Sequence, residues 1–294
     1  MITRGVYSAT CSILNDDYSL NVDSTIAHAA STINNGLHGA IFFGSTGQSQ
    51  LISISEKKGL IAKIASHKLR KKFFLGTGCN SLNDTVDLIK YGMEYEFKDW
   101  LVMPAAYYKD NTEEGVYNFY KHIILQVPKV RIILYNFEKL SSFLFTPEFV
   151  KRLAADFSKN IIGLKDSSYN LYENLKIPNF KIFIGSEAKL LKNLELGGAG
   201  TISAITGITH SLARQVFDDF ENKQPQTQNE KLIAVRETFD SENLISALHS
   251  YFSVNDPKFK NLLPPLVLLP EEKKQELLAK LKKLDLIASK GKAA

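Results

Sequence analysis

Residues 161–168 read Ile161-Ile162-Gly163-Leu164-Lys165-Asp166-Ser167-Ser168. Four apolar or small residues run straight into a lysine and a polar Asp-Ser-Ser turn follows, which predicts a buried strand with Lys165 at its C-terminal end. Lysine is rarely buried without a partner, and loss of water favours the neutral amine, the form that attacks carbonyls. Two readings stand for this octapeptide. Lys165 forms a Schiff base with a carbonyl substrate, or it is a strand-end lysine that snorkels to solvent or pairs with Asp166.

The surrounding pattern weighs between them. Short β-rich runs recur at Val6–Ala9, Ala40–Phe43, Phe73–Gly76, Trp100–Met103, Arg131–Tyr135, Ile161–Leu164, Lys181–Ile184 and Thr201–Ile205. Segments of helical periodicity lie between them, such as Thr25–Asn34, Glu56–Ser66, Thr85–Tyr91, Val116–Val127 and Pro147–Phe157. A succession of eight strand-and-helix units predicts an α/β fold, a (β/α)8 TIM barrel. An open doubly wound sheet is the main rival. It would bring a Gly-rich nucleotide turn after an early strand, and the nearest candidate, Gly44-Ser45-Thr46-Gly47, lacks the lysine of a phosphate loop. From about Asn222 the strands stop. Helical patterns follow at Asn229–Thr238, Asn243–Tyr251 and Glu271–Ala288, so residues 1–222 are read as the catalytic barrel and 223–294 as a C-terminal helical extension. Leu262–Pro270 carries prolines that bar a continuous helix, and is read as an apolar connector lying on the barrel or on a partner.

Composition narrows the class. The chain has 294 residues, 44% hydrophobic and 23% charged, with a net charge of +5, as expected of a soluble globular protein. The basic excess sits in a lysine-rich C-terminus and around Lys68–Lys72. With no aromatic-interleaved basic motif, these runs read as solvated helix faces rather than a nucleic-acid site. No apolar run reaches the roughly 18 residues of a membrane helix and no signal-peptide pattern opens the chain, so a cytoplasmic enzyme without membrane contact is expected. Cys11 and Cys79 lack metal-ligand or CxxC spacing and read as small buried hydrophobes, and the six histidines are scattered singly, which argues against a metal site.

In a barrel, strand-end residues converge on one mouth. The second strand is followed by Gly44-Ser45-Thr46-Gly47, whose amides suit a carboxylate and whose Thr46 hydroxyl suits proton relay. The fifth ends in Tyr135-Asn136, the sixth in Lys165, the seventh in Gly185-Ser186-Glu187 and the eighth in Gly200-Thr201-Ile202-Ser203. A lysine nucleophile needs a proton shuttle for carbinolamine formation and dehydration, and the Tyr135 phenol is a plausible one. Together with Gly163-Leu164-Lys165-Asp166 and Gly197-Gly198-Ala199-Gly200, these motifs resemble the dihydrodipicolinate synthase and N-acetylneuraminate lyase family of class I pyruvate aldolases, over nearly the whole chain. The resemblance implies a homotetramer built as a dimer of dimers, working without metal or organic cofactor on a small-molecule 2-oxo acid and an aldehyde. It implies Lys165 as the imine-forming residue, Tyr135 as the proton shuttle, and Ser45, Thr46 and Gly47 around the 2-oxo acid carboxylate. It further implies that Tyr107, or its neighbour Tyr108, joins a neighbouring subunit's relay, and that the Ile202 carbonyl and Ser203 face substrate.

The departures bear on substrate. Tyr135-Asn136-Phe137-Glu138 lacks the family's proline, and Glu138-Lys139-Leu140-Ser141 lacks the arginine with which the synthase branch holds its second substrate's carboxylate. Lys139 would offer a point charge without the bidentate fork. Gln48 stands where many members carry glutamate, and Thr10-Cys11-Ser12-Ile13 lacks the usual Thr-Pro-Phe. Glu187 is read either as a ligand of substrate hydroxyls or as a carboxylate at a helix N-terminus; Asp166 is read as an orienting or capping residue. The resulting expectation is a Schiff-base lyase that makes or breaks a C–C bond in a 2-keto-3-deoxy sugar acid. The alternatives are 4-hydroxy-tetrahydrodipicolinate synthesis, a dehydratase of the same family, and a non-catalytic barrel that binds a 2-oxo acid.

Overall fold

The computed structural model describes residues 1–286. Eight parallel strands close on themselves in sequence order, each paired with its neighbours and β8 returning to β1. They are β1 (Gly5–Ala9), β2 (Gly39–Phe42), β3 (Phe73–Gly76), β4 (Asp99–Val102), β5 (Arg131–Asn136), β6 (Ile161–Asp166), β7 (Lys181–Ile184) and β8 (Gly200–Ser203). Between and after them run α1 (Val22–Asn34), α2 (Ile54–Ala65), α3 (Leu82–Glu94), α4 (Glu113–Gln126), α5 (Glu138–Ser141), α6 (Pro147–Asp156), α7 (Leu190–Glu195) and α8 (Thr206–Glu221). The expected TIM barrel and its helical extension are therefore both present, the latter as α9 (Asn229–Asp240), α10 (Leu244–Phe252) and α11 (Glu271–Lys283). The end of the helix expected over Glu271–Ala288, residues 287 and 288, lies outside the described residues.

Alternation along the strands divides the apolar residues between two layers. Tyr7, Ile41, Leu101, Ile133, Tyr135 and Phe183 fill the barrel interior. Phe42, Trp100, Leu134 and Leu164 point outward and meet the inner stripes of the helices, such as Leu60, Ile61 and Ile64 of α2. Helices α1, α2, α3, α4 and α6 start at side-chain caps: Asn21, Ser53, Ser81, Thr112 and Thr146 each accept from a backbone N–H in the first turn. Ser53 and Glu56 do so reciprocally.

Strand β6 is irregular in a way that matters. Ile132 of β5 pairs with Ile161 but Ile133 pairs with Gly163, so Ile162 is an extra residue that re-phases the alternation. Beyond it Tyr135 is the register partner of Lys165 and Asn136 that of Asp166. Gly163 permits a close approach to β7, since a Cβ there would sit 2.4 Å from the Lys181 carbonyl oxygen. The strand also continues through Lys165 to Asp166, two residues past the end expected at Leu164.

The extension lies over the strand C-termini and shares their core. Val235, Phe239, Ala247, Leu248 and Phe259 pack with Cys11, Ile13, Ile205 and Ile208. The connector Leu262–Pro270 is non-helical and lies on the barrel mouth. The Leu263 amide donates to Gln48 Oε1 at 2.7 Å and the Leu269 amide to Ser250 Oγ at 2.9 Å.

Candidate active site

Lys165 is 3% exposed and its register partner Tyr135 4% exposed. Being opposite one another on adjacent parallel strands, both project into the barrel, and Lys165 Nζ donates to the Tyr135 oxygen at 3.2 Å. The amine also lies 4.3 Å from the centre of the Tyr135 ring, where a charged form is attracted by the π face. A carboxylate partner is not what holds this lysine. Asp166, at 0% exposure, is fully engaged elsewhere: it accepts from the amides of Tyr169, Leu171 and Tyr172 and from Asn136 Nδ2. Asn136 also donates to Asn170 Oδ1 at 2.7 Å. This network ties the ends of β5 and β6 together immediately beyond the Tyr135–Lys165 pair, which fits the orienting role read for Asp166.

A second hydroxyl completes the line. Ser45 Oγ and the Tyr135 oxygen are 3.0 Å apart. The relay role is expected of Thr46, whereas the hydroxyl at Tyr135 is that of Ser45; Thr46 is buried beside it. Both residues sit on a single 3-10 turn, Ser45–Gly47, whose leading amides have no intrahelical acceptor. Gly47 seats this turn against β1, since a Cβ there would be 2.9 Å from the Thr10 carbonyl oxygen.

The other candidates divide. Ile202 is fully buried in the barrel interior. Glu187 is fully buried too, with one oxygen engaged: its Oε2 is 3.2 Å from Arg236 Nη1, which also donates to Ser203 Oγ at 3.2 Å, whereas its Oε1 has no hydrogen-bond partner among the described residues. Arg236 comes from α9 and bonds Asp240 as well. Burial alone would disfavour its guanidinium, but the facing carboxylates, Glu187 foremost, hold its pKa above the ordinary arginine value. Glu187 thus holds Arg236, an arginine that the sequence reading missed, through one oxygen and keeps the other as an unmatched acceptor. A signal was available: Leu232, Val235, Arg236 and Phe239 form the buried stripe of α9, and an arginine at a core position demands a partner. Tyr107 and Tyr108, in the loop between β4 and α4, are 76% and 75% exposed and stack edge to face on each other, outside the constellation formed by this chain.

Beside Tyr135 and Ser45 opens a cavity of about 260 Å³. Phe43, Gly78, Leu101, Met103, Leu140, Ile245 and Leu266 are on its wall, so residues at or after the ends of four strands, the start of α10 and the connector all contribute. Leu140 belongs to the segment where the synthase branch carries its arginine; Lys139 is not on the wall.

Residues 3–284 match the model of the Dihydrodipicolinate synthetase family. The chain belongs to that family. A DapA-like lyase of uncharacterized activity from Chloroflexus aurantiacus is 30% identical over 246 residues, 81% of this chain and 82% of its own length. A 2-dehydro-3-deoxy-D-gluconate/2-dehydro-3-deoxy-phosphogluconate aldolase from Picrophilus torridus is 27% identical over 71% of this chain and 79% of its own. Among solved structures, a prophage protein of the dihydrodipicolinic acid synthase family from E. coli K12, in complex with pyruvate, superposes with a TM-score of 0.87 over 97% of this chain and 100% of its own, at 23% identity. The dihydrodipicolinate synthetase family member described here is accordingly an aldolase or lyase.

Proposed function

We propose that the chain is a Schiff-base lyase that forms or cleaves a C–C bond at the methyl carbon of pyruvate, or at the equivalent carbon of a longer 2-oxo acid. The observation that carries this reading is the hydrogen-bonded line Lys165–Tyr135–Ser45 at the barrel mouth. The neutral Lys165 amine adds to the C2 carbonyl, and Tyr135 delivers a proton to the oxygen that leaves as water. The imine then accepts the electron pair released when C3 loses a proton, giving an enamine. Its C3 attacks an aldehyde carbonyl, whose oxygen takes a proton, and water returns the lysine and a 4-hydroxy-2-oxo acid. Cleavage is the reverse. The Ser45-Thr46-Gly47 turn holds the carboxylate, and Ser45 passes protons to and from Tyr135.

The sequence extended this reading to a 2-keto-3-deoxy sugar acid on the strength of Glu187 and the missing arginine. One Glu187 oxygen is paired to Arg236 and the other has no hydrogen-bond partner among the described residues, so that extension is supported by this free acceptor, by the missing arginine and by the name of the Picrophilus relative. The missing arginine continues to disfavour dihydrodipicolinate synthesis, and the retained lysine and tyrosine disfavour a non-catalytic barrel. A homotetramer in the cytoplasm, with Tyr107 or Tyr108 meeting a neighbouring copy, completes the proposal. Both tyrosines are exposed in the single chain, and no helix among the described residues is long and apolar enough to cross a membrane.

Deuterium exchange tests the reading without knowledge of the aldehyde. In D₂O the protein exchanges the methyl protons of pyruvate, followed by NMR, and Lys165→Ala abolishes the exchange. Absence of exchange in folded wild-type protein, for pyruvate and for longer 2-oxo acids alike, would remove the enamine and with it the proposed reaction.

A further inference from the structure

The cavity beside Tyr135 has an uneven lining. Its polar side chains are Tyr135 and one stretch of loop, Ser45 and Gln48 to Gln50; Lys165 is not on the wall and meets it through its hydrogen bond to the Tyr135 phenol. Away from these the wall is hydrocarbon and thioether: Leu101, Met103, Leu140, Ile245, Pro265 and Leu266. No charged side chain among the described residues lines it. A polyhydroxylated chain placed there would exchange water for apolar neighbours at several hydroxyls, and each unmet hydroxyl opposes binding. An apolar chain would gain by the same transfer. Space is not limiting, because a cavity of about 150 Å³ already takes benzene and this one measures about 260 Å³.

One polar feature of the wall remains unmatched. Gln48 is 3% exposed and its Oε1 accepts from the Leu263 amide, whereas its Nε2 has no acceptor among the described residues. The hydrogen bond to Leu263 fixes which end of the amide is the spare donor, and a buried donor without an acceptor is the kind of group a ligand satisfies.

Resting on the lyase reading above, we infer that the second substrate is an aldehyde with an apolar body, aromatic or branched aliphatic, carrying at most one or two hydrogen-bond acceptors. The product is then a 4-hydroxy-2-oxo acid whose C4 bears that apolar group. The aldehyde carbonyl faces Tyr135 and Lys165, its body lies against Leu140, Ile245 and Leu266, and the Gln48 amide donates to an acceptor on it. Leu140 is the specificity residue. It presents a branched hydrocarbon in the segment where the synthase branch presents an arginine.

The test incubates the full-length wild-type protein with pyruvate and each of four aldehydes: benzaldehyde, 2-hydroxybenzaldehyde, 3-methylbutanal and glyceraldehyde. It measures kcat/KM for formation of the 4-hydroxy-2-oxo acid, with pyruvate methyl exchange in D₂O recorded on the same preparation. Benzaldehyde or 3-methylbutanal is expected to exceed glyceraldehyde by about tenfold or more. Leu140→Arg, at a position 40% exposed and so tolerant of a long side chain, is expected to shrink that ratio by about tenfold. Gln48→Glu, which keeps the acceptor for Leu263 and removes the spare donor, lowers kcat/KM for 2-hydroxybenzaldehyde more than for benzaldehyde. If the protein exchanges pyruvate protons but prefers glyceraldehyde, or turns over neither apolar aldehyde, the inference is overturned and the lyase reading stands. If it exchanges none, the lyase reading falls first.

Discussion

Tyr135 is the one acid/base side chain hydrogen-bonded to the Lys165 amine among the described residues, and it is held there by geometry that a substitution at the phenol oxygen leaves intact. Tyr135→Phe keeps the ring that packs at the barrel mouth and removes the proton carrier. The expected result is a fall in pyruvate proton exchange of about 10² to 10⁴, with little change in the pyruvate concentration that half-saturates it. A loss confined to KM would make Tyr135 a binding residue instead. At this scale the sequence was legible where chemistry and position coincide. Lys165 was conspicuous because an apolar run ended on it, and Tyr135 because it closed the neighbouring strand. What could not be read was the extra residue at Ile162, which gives both side chains the same face. Nor could the choice between adjacent hydroxyls be read, because which of Ser45 and Thr46 meets Tyr135 depends on the rotation of a 3-10 turn.

Helix starts show what apolar periodicity misses. Starts expected at Thr25, Glu56, Thr85 and Val116 lie two or three residues inside the observed ones, Val22, Ile54, Leu82 and Glu113. Three of these helices already open on an apolar residue packed on the core, Val22, Ile54 and Leu82, and the caps Asn21, Ser53, Ser81 and Thr112 were the better markers. Helix α9 carries the corresponding lesson for packing. Its Arg236 joins the extension to the ends of β7 and β8 through Glu187 and Ser203, both buried. Arg236→Ala leaves the Glu187 carboxylate buried without its partner, and a loss of about 3–5 kcal/mol in urea denaturation is expected. The double variant Arg236→Met with Glu187→Gln removes both charges and recovers most of that loss. If the single variant unfolds at the wild-type midpoint, the pair is solvated and α9 is held by its apolar stripe alone.

The barrel and the extension meet along a seam that contains a titratable group. His249 of α10 is fully buried, its Nδ1 lies 3.0 Å from the Phe259 carbonyl, and its ring packs on Phe259. Burial pushes its pKa down from 6.5 to about 4, against a smaller opposing effect of that carbonyl. Because the folded value is depressed, the unfolded chain takes up the proton first. The contribution of His249 is therefore complete above pH 6.5 and lost as pH falls toward 4. At about 1.36 kcal/mol per unit the loss amounts to roughly 3 kcal/mol. His249→Asn, which keeps a donor toward Phe259, flattens the fall in urea midpoint over that range; an unchanged slope would place the acid sensitivity elsewhere. The architecture as a whole was legible because eight strand signals in series admit few topologies, whereas the cavity was not. Its wall is assembled from Leu101, Leu140, Ile245 and Leu266, residues far apart in the chain and each unremarkable alone. The central claim, that Lys165 forms an imine with a 2-oxo acid, is tested most directly by borohydride reduction in the presence of pyruvate followed by peptide mass spectrometry. A reduced pyruvyl adduct on Lys165, absent from Lys165→Ala, is the predicted result. Folded wild-type protein with no adduct, or with its adduct on another lysine, would contradict it.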